Sequence, residues 1–158
     1  MSSQVLSEQS LHAQAFVTLV RAHAAATRRL SAQLSTDHGL TISDFEVLLR
    51  LGRAPDRRLR RVDLAQEVLL TASGITRLLD GLERKGYVER GSCDTDRRVV
   101  YAVLTADGLT KLREAGVSHF GQIQELFGSR YDERELSELG ALLARLGGDE
   151  PAECELPE

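Results

Sequence analysis

The sequence predicts a mainly α-helical chain that carries one small β-hairpin. Three observations lead there. From Ser10 to Thr36 the chain is rich in Ala and Leu and contains no Gly or Pro, the composition of a long helix. Between Ala72 and Lys85 the apolar residues Ile75, Leu78, Leu79 and Leu82 recur at i, i+3, i+4 and i+7, one buried stripe of an amphipathic helix. Directly after it, Tyr87–Arg90 and Val99–Leu104 are β-rich runs flanking the polar loop Gly91–Arg98, which reads as a hairpin with an arginine-bearing tip.

In chain order, residues 1–9 are polar and expected to be disordered, and one domain should span 10–146. The first helix ends at His38-Gly39, with Gly39 as its C-terminal cap. Ser43 and Glu46 have the spacing of a capping box, with Ile42 and Val47 as the accompanying staple, so a second helix should start there and end near Gly52, before Pro55. The loop 53–61 holds five arginines: Arg53, Arg57, Arg58, Arg60 and Arg61. A short third helix, about Val62 to Val68, follows without a good N-cap. The fourth helix is the one from Ala72, and Gly86 stops it. After the hairpin, Thr105 caps a long helix with Leu109, Leu112, Gly116, Phe120, Ile123 and Phe127 on one side. Asp132 and Glu135, stapled by Tyr131 and Leu136, start a last helix through about Leu146. The tail 147–158 has five acids, two prolines and no base, and is expected to be disordered.

The chemistry suggested by the fourth helix is that of a nucleic-acid reader. Opposite its apolar stripe stand Ser73, Thr76, Arg77, Asp80 and Arg84. Such a helix can pack one side on a core and lay the other in a DNA major groove, where Arg reaches guanine and hydroxyls reach bases or phosphates. Gly74 costs a helix interior roughly 1 kcal/mol against Ala. Its place is explained either by close approach to a phosphate or by a helix that begins a turn later.

The formal net charge of −4 is unevenly distributed. Residues 50–98 hold 12 Lys/Arg against 8 Asp/Glu, a local +4, and the remainder holds 8 against 16, a local −8. Phosphate binding follows the local field, so a basic middle between acidic ends is compatible with it. Of the 20 basic residues 18 are Arg, which suits bidentate phosphate and guanine contacts, although a high-GC genome produces the same bias.

The words Leu64-Ala65, Thr71-Ala-Ser-Gly-Ile-Thr-Arg77, Leu82-Glu-Arg-Lys-Gly-Tyr-Val-Glu-Arg90, Asp96-Arg-Arg98 and Leu104-Thr-Ala-Asp-Gly108, in this order and spacing, closely resemble the MarR family. Those are winged helix-turn-helix transcription regulators that bind DNA as homodimers. The resemblance spans about Thr41 to Leu112. It implies a winged helix-turn-helix over about 43–104 and dimerisation helices over about 10–38 and 106–146. Phe16, Leu19, Leu30, Ile123, Leu139 and Leu143 would then be buried between chains. Two-fold symmetry would demand a pseudo-palindromic operator.

The DNA-binding residues expected on this reading are Thr71, Ser73, Gly74, Thr76, Arg77, Arg84, Asp96, Arg97 and Arg98. By the resemblance, Asp96 holds the Arg98 side chain while Arg98 enters the flanking minor groove, where a narrow A·T-rich groove attracts guanidinium. Arg97 is placed on phosphate. The family commonly responds to a small ligand, often an aromatic carboxylate, bound between the dimerisation helices and the winged lobe. His23, Phe45 and Phe120 are the candidate pocket lining here.

Two other readings compete. A zinc-responsive regulator would assemble His12, His23, His38 or His119 with Glu46, although no pair has the i, i+4 spacing of ligands on one helix turn. A protein-interaction module would use the same helix face for a protein and leave Arg98 unexplained. Some relatives sense peroxide through a cysteine near the start of the first helix. This chain has none there, and Asp94 and Asp96 beside Cys93 disfavour its thiolate. Cys93 and Cys154 form neither a disulfide framework nor a metal spacing. Phosphate-cradling, serine-hydrolase and His-Glu-x-x-His patterns are absent from the sequence, so neither enzymatic function nor a cofactor is expected. No apolar run approaches the ~18 residues that span a membrane, and the N-terminus lacks the basic and apolar blocks of a signal peptide. A cytoplasmic setting is expected.

Overall fold

The computed structural model describes residues 2–68, 70–92, 98–147 and 156–157, with residues 2–9 and 147 described by backbone alone. Among the described residues, six α-helices and three strands follow one another as α1 (Ser2–Gln33), α2 (Ile42–Arg53), β1 (Arg58–Arg60), α3 (Arg61–Glu67), α4 (Ala72–Arg84), β2 (Val88–Ser92), β3 (Val100–Leu104), α5 (Ala106–Gly128) and α6 (Glu133–Gly147). The expected class, mainly α with a small wing, is the one found.

Helix α1 runs from Ser2, within the segment expected to be disordered. It ends in a widened π-helical turn, Leu34–His38, and Gly39 closes it with φ 65°, the left-handed C-cap expected at that residue. The Gly39 turn delivers Thr41 in an extended conformation, φ −81° and ψ 164°. Thr41 Oγ1 accepts from the Asp44 amide at 3.0 Å and Asp44 Oδ2 accepts from the Thr41 amide at 2.9 Å. The capping box of α2 is therefore Thr41/Asp44, two residues before the expected Ser43/Glu46. Leu40 and Phe45 now hold the staple positions, and both are buried.

The core lies where α2, α3, α4 and the sheet meet the first half of α5. Val47, Leu48, Leu51, Leu64, Ile75, Leu82 and Leu112 are fully buried there. Strand β1 was not expected. It pairs antiparallel with β3 (Arg58 with Val103, Arg60 with Tyr101), so the sheet order is β1-β3-β2 rather than a bare hairpin. Three residues with two charges give too weak a local signal. The pairing is non-local, and Arg58 lies over the Tyr101 ring at 4.0 Å.

The hairpin enters α5 through a compact junction. Thr105 Oγ1 donates to the Gly86 carbonyl at 2.7 Å and accepts from the Gly108 amide at 3.0 Å. Gly86, at φ 77°, turns the chain out of α4 in a conformation that costs glycine little. Gly108 faces the Tyr87 carbonyl so closely that a Cβ would collide with it. The helix can start against the hairpin only because no side chain stands there.

Helix α6 carries the expected box: the Asp132 amide donates to Glu135 Oε2 at 3.0 Å, and the Glu135 amide donates to Asp132 Oδ1 at 2.8 Å. Within the tail expected to be disordered, Leu156 and Pro157 are described. Leu156 packs back on the core, because α5 and α2 leave glycine-sized space for these two residues.

Candidate nucleic-acid interface

Helix α4 begins at Thr71, whose Oγ1 accepts from the Gly74 amide at 3.1 Å. A Cβ on Gly74 would lie 3.1 Å from that oxygen, tighter than normal packing. The glycine thus protects the cap, and the helix starts where expected rather than a turn later. Ile75 and Leu82 are buried on the core, and Leu78 and Leu79 pack partly against it. This fixes the rotation of α4 and turns Ser73, Arg77 and Arg84 outward, all exposed, with Thr76 half-buried beside them.

The polar edge is locally ordered. Thr71 Oγ1 and Ser73 Oγ lie 3.3 Å apart. Thr76 Oγ1 donates to the Ala72 carbonyl at 2.8 Å, which leaves its lone pairs able to accept. Arg77 and Arg84 carry no ion pair among the described residues, so both guanidinium groups remain available to an anion.

The far end of α4 is tied down separately. Lys85 Nζ donates to the Gly39 carbonyl at 2.8 Å and lies 3.9 Å from Asp44, clamping the helix end to the start of α2. Arg90 on β2 reaches back to α4, with Nη2 2.5 Å from Asp80 Oδ1 and Nε 3.0 Å from Glu83 Oε2. This fork crosses a cleft of about 290 Å³ between α4 and the hairpin. Arg98 is exposed at the base of the hairpin tip, and Asp96 and Arg97 lie outside the described residues. Two loop arginines serve the fold: Arg60 pairs with Asp63 at 2.6 Å, which holds its pKa above the usual range, and Arg58 covers Tyr101.

The arrangement is a helix with one anchored and one polar face, flanked by a hairpin at fixed distance. The family model described as MarR family matches residues 38–99. The HTH-type transcriptional regulator MhqR of Bacillus subtilis is 30% identical over 142 residues, covering 90% of this chain and 94% of MhqR.

The chain belongs to the MarR family.

A further relative, the HTH-type transcriptional repressor YetL of Bacillus subtilis, is 35% identical over 111 residues, covering 68% of this chain and 66% of YetL. The fold is similar to that of Sco3205, a MarR family transcriptional regulator from Streptomyces coelicolor solved in complex with DNA, with TM-score 0.79, 28% identity and 91% of each chain covered. AbsC, a MarR family regulator from the same organism, matches with TM-score 0.77 and 28% identity over 84% of this chain and 89% of AbsC. MarR-family proteins are transcriptional regulators and not enzymes, and this chain is one of them.

Of the three pocket candidates in this MarR-family chain, two come together. Phe45 of α2 and Phe120 of α5 meet edge to face with centroids 6.1 Å apart. His23 stands elsewhere, exposed on α1, with Thr27 Oγ1 3.5 Å from its ring. Between the phenylalanines lies a residue not chosen from the sequence for this site. His119 is 4.9 Å from Phe45 and 6.0 Å from Phe120 by ring centroids. It is 7% exposed, and its Nδ1 has no hydrogen-bond partner among the described residues. Burial pushes its pKa below the usual range. The signal was available: Leu112, Ala115, Gly116 and His119 follow i, i+3, i+4, i+7 on the buried face of α5. Among the described residues no three His, Cys, Asp or Glu side chains are grouped to hold a metal. Cys93 and Cys154 lie outside the described residues.

Proposed function

We infer that this regulator binds a pseudo-palindromic DNA operator as a homodimer, acts as a repressor in the cytoplasm and is released by a small-molecule ligand of the aromatic carboxylate class. One observation carries the reading. The face of α4 bearing Ser73, Thr76 and Arg77 is turned outward by the burial of Ile75 and Leu82, and Arg98 is exposed just before β3 of the wing. Each subunit then puts α4 in a major groove and Arg98 in the adjacent minor groove. The DNA complex of the Sco3205 relative supports this use of the fold, and the repressor name of YetL supports the sign.

Dimerisation is supported by apolar side chains that one chain leaves in water. Phe16 is 67% exposed on α1, with Val17 and Val20 beside it, while Leu142, Leu143 and Leu146 are exposed on α6. Helices that expose this much apolar surface gain by burying it in a partner. No described helix is long and apolar enough to cross a membrane.

An effector is read at Phe45, His119 and Phe120, where the winged lobe meets α5. An aromatic carboxylate that opened this packed cluster would stack on these rings and meet the His119 nitrogen that no described residue partners. It regulates only if it prefers a lobe arrangement that does not fit the operator. The test is a footprint of the purified protein on the DNA upstream of its own gene. Two protected half-sites with centres about 10 bp apart are expected. A single protected patch, or none along that DNA, contradicts the dimer-on-palindrome reading.

A further inference from the structure

The last two described residues of the chain lie in a groove that two helices shape for them. Gly52 of α2 and Gly116 of α5 both face it. A Cβ on Gly52 would stand 2.7 Å from Pro157 Cγ, and one on Gly116 would stand 2.7 Å from Leu156 Cδ1. Neither distance is tolerable without movement. Leu112 closes the floor, its Cδ2 2.8 Å from the same Gly52 position. On the rim, Arg113 Nε donates to the Pro157 carbonyl at 3.4 Å. Leu156 is half-buried and packs against the core that α2 and α5 share.

We propose that the α2–α5 groove is a binding site for this chain's own C-terminus, an intramolecular strap in which Leu156 and Pro157 fill the space left by Gly116 and Gly52. The match is chemical as well as steric. An apolar side chain and a proline ring enter the glycine-lined floor, while a carbonyl meets a guanidinium at the rim. The segment also needs little ordering, since proline fixes its own φ. The strap ties α2, which opens the winged lobe, to α5, which leads into the last helix.

The native cysteine at position 154 allows a direct test. In the full chain carrying Cys93→Ser, a nitroxide on Cys154 should broaden the backbone amide signals of Gly52, Leu112 and Gly116. Leu156→Asp should abolish that broadening, because a carboxylate cannot enter the apolar floor, whereas Leu156→Met should retain it. Unbroadened signals in the parent, or broadening that survives Leu156→Asp, would overturn the proposal.

A synthetic peptide of residues 150–158 supplies the second readout. It should shift the same amide signals of the Leu156→Asp protein. It should bind the parent at least about tenfold more weakly, because the tethered tail competes at an effective concentration in the millimolar range. Equal binding to both proteins, or to neither, would also overturn it.

Discussion

Arg90 reaches from β2 to Asp80 on α4 at 2.5 Å, and its other edge meets Glu83 at 3.0 Å. One guanidinium thereby fixes the distance between the helix proposed to face DNA and the hairpin that flanks it. Exposed pairs contribute little to folding, typically about 0–1 kcal/mol, and Arg90 is 64% exposed. Its importance is geometric. Arg90→Ala should leave the melting temperature nearly unchanged and weaken operator binding as much as the loss of a direct contact, about 1–3 kcal/mol. Arg90→Lys should not rescue it, since one ammonium cannot fork to both carboxylates. Parallel melting and fluorescence-anisotropy titrations check this, and wild-type affinity in Arg90→Ala would refute the role.

The two arginines assigned to DNA should differ in how their loss depends on sequence. Arg77→Ala should cost about 1–3 kcal/mol if it makes a bidentate base contact, and should relax preference at one position of each half-site. Arg98→Ala should weaken binding most where the flank is A·T-rich, because the narrow groove concentrates the potential that draws it in. Titrating both variants against operators with swapped flanks separates the contributions. Tight binding by both would sink the assignment.

Gly108→Ala should damage the junction between wing and α5. The added methyl meets the Tyr87 carbonyl, a rigid neighbour that also accepts from the Thr105 amide at 3.1 Å. Overpacking of this kind costs typically about 1–3 kcal/mol. Urea denaturation should show a lower midpoint with an unchanged slope. A midpoint equal to that of the parent would show that the junction gives way cheaply.

His119 should make stability depend on pH. Burial lowers its pKa from the ordinary 6.5, so the unfolded chain binds this proton more readily than the folded one. Its contribution is therefore complete above about pH 6.5 and is lost as pH falls below that value towards the folded pKa. His119→Phe keeps an aromatic ring between Phe45 and Phe120 and removes the unpartnered nitrogen. Denaturation midpoints across pH 5 to 8 should slope less in this variant than in the parent. Identical slopes would place the dependence elsewhere.

Local rules carried most of the fold because the main elements announce themselves locally. The Ile75–Leu82 stripe, the Asp132/Glu135 box and the stops at Gly39 and Gly86 all stand where the sequence puts them. Sequence logic was less decisive where two local answers competed or where the partner is remote. Thr41/Asp44 and Ser43/Glu46 both fit a cap, and the turn at Gly39 decides between them. Strand β1 exists only because β3 is beside it. Arg90 lies seven and ten positions from its acids, Glu83 and Asp80, across a turn, a spacing with no periodic signature. The seating of Leu156 and Pro157 depends on glycines some forty and a hundred residues away in sequence.

The central claim is that α4 and the wing bind a specific DNA site through a known set of charges. The most direct measurement is a titration of the purified protein against its own upstream DNA at several salt concentrations, with random DNA as competitor. The account predicts binding that survives the competitor, with log K falling about 0.9 for each phosphate neutralised and a shallower slope in Arg98→Ala. Weak binding that random DNA abolishes equally, with the same salt slope in wild type and Arg98→Ala, would contradict it.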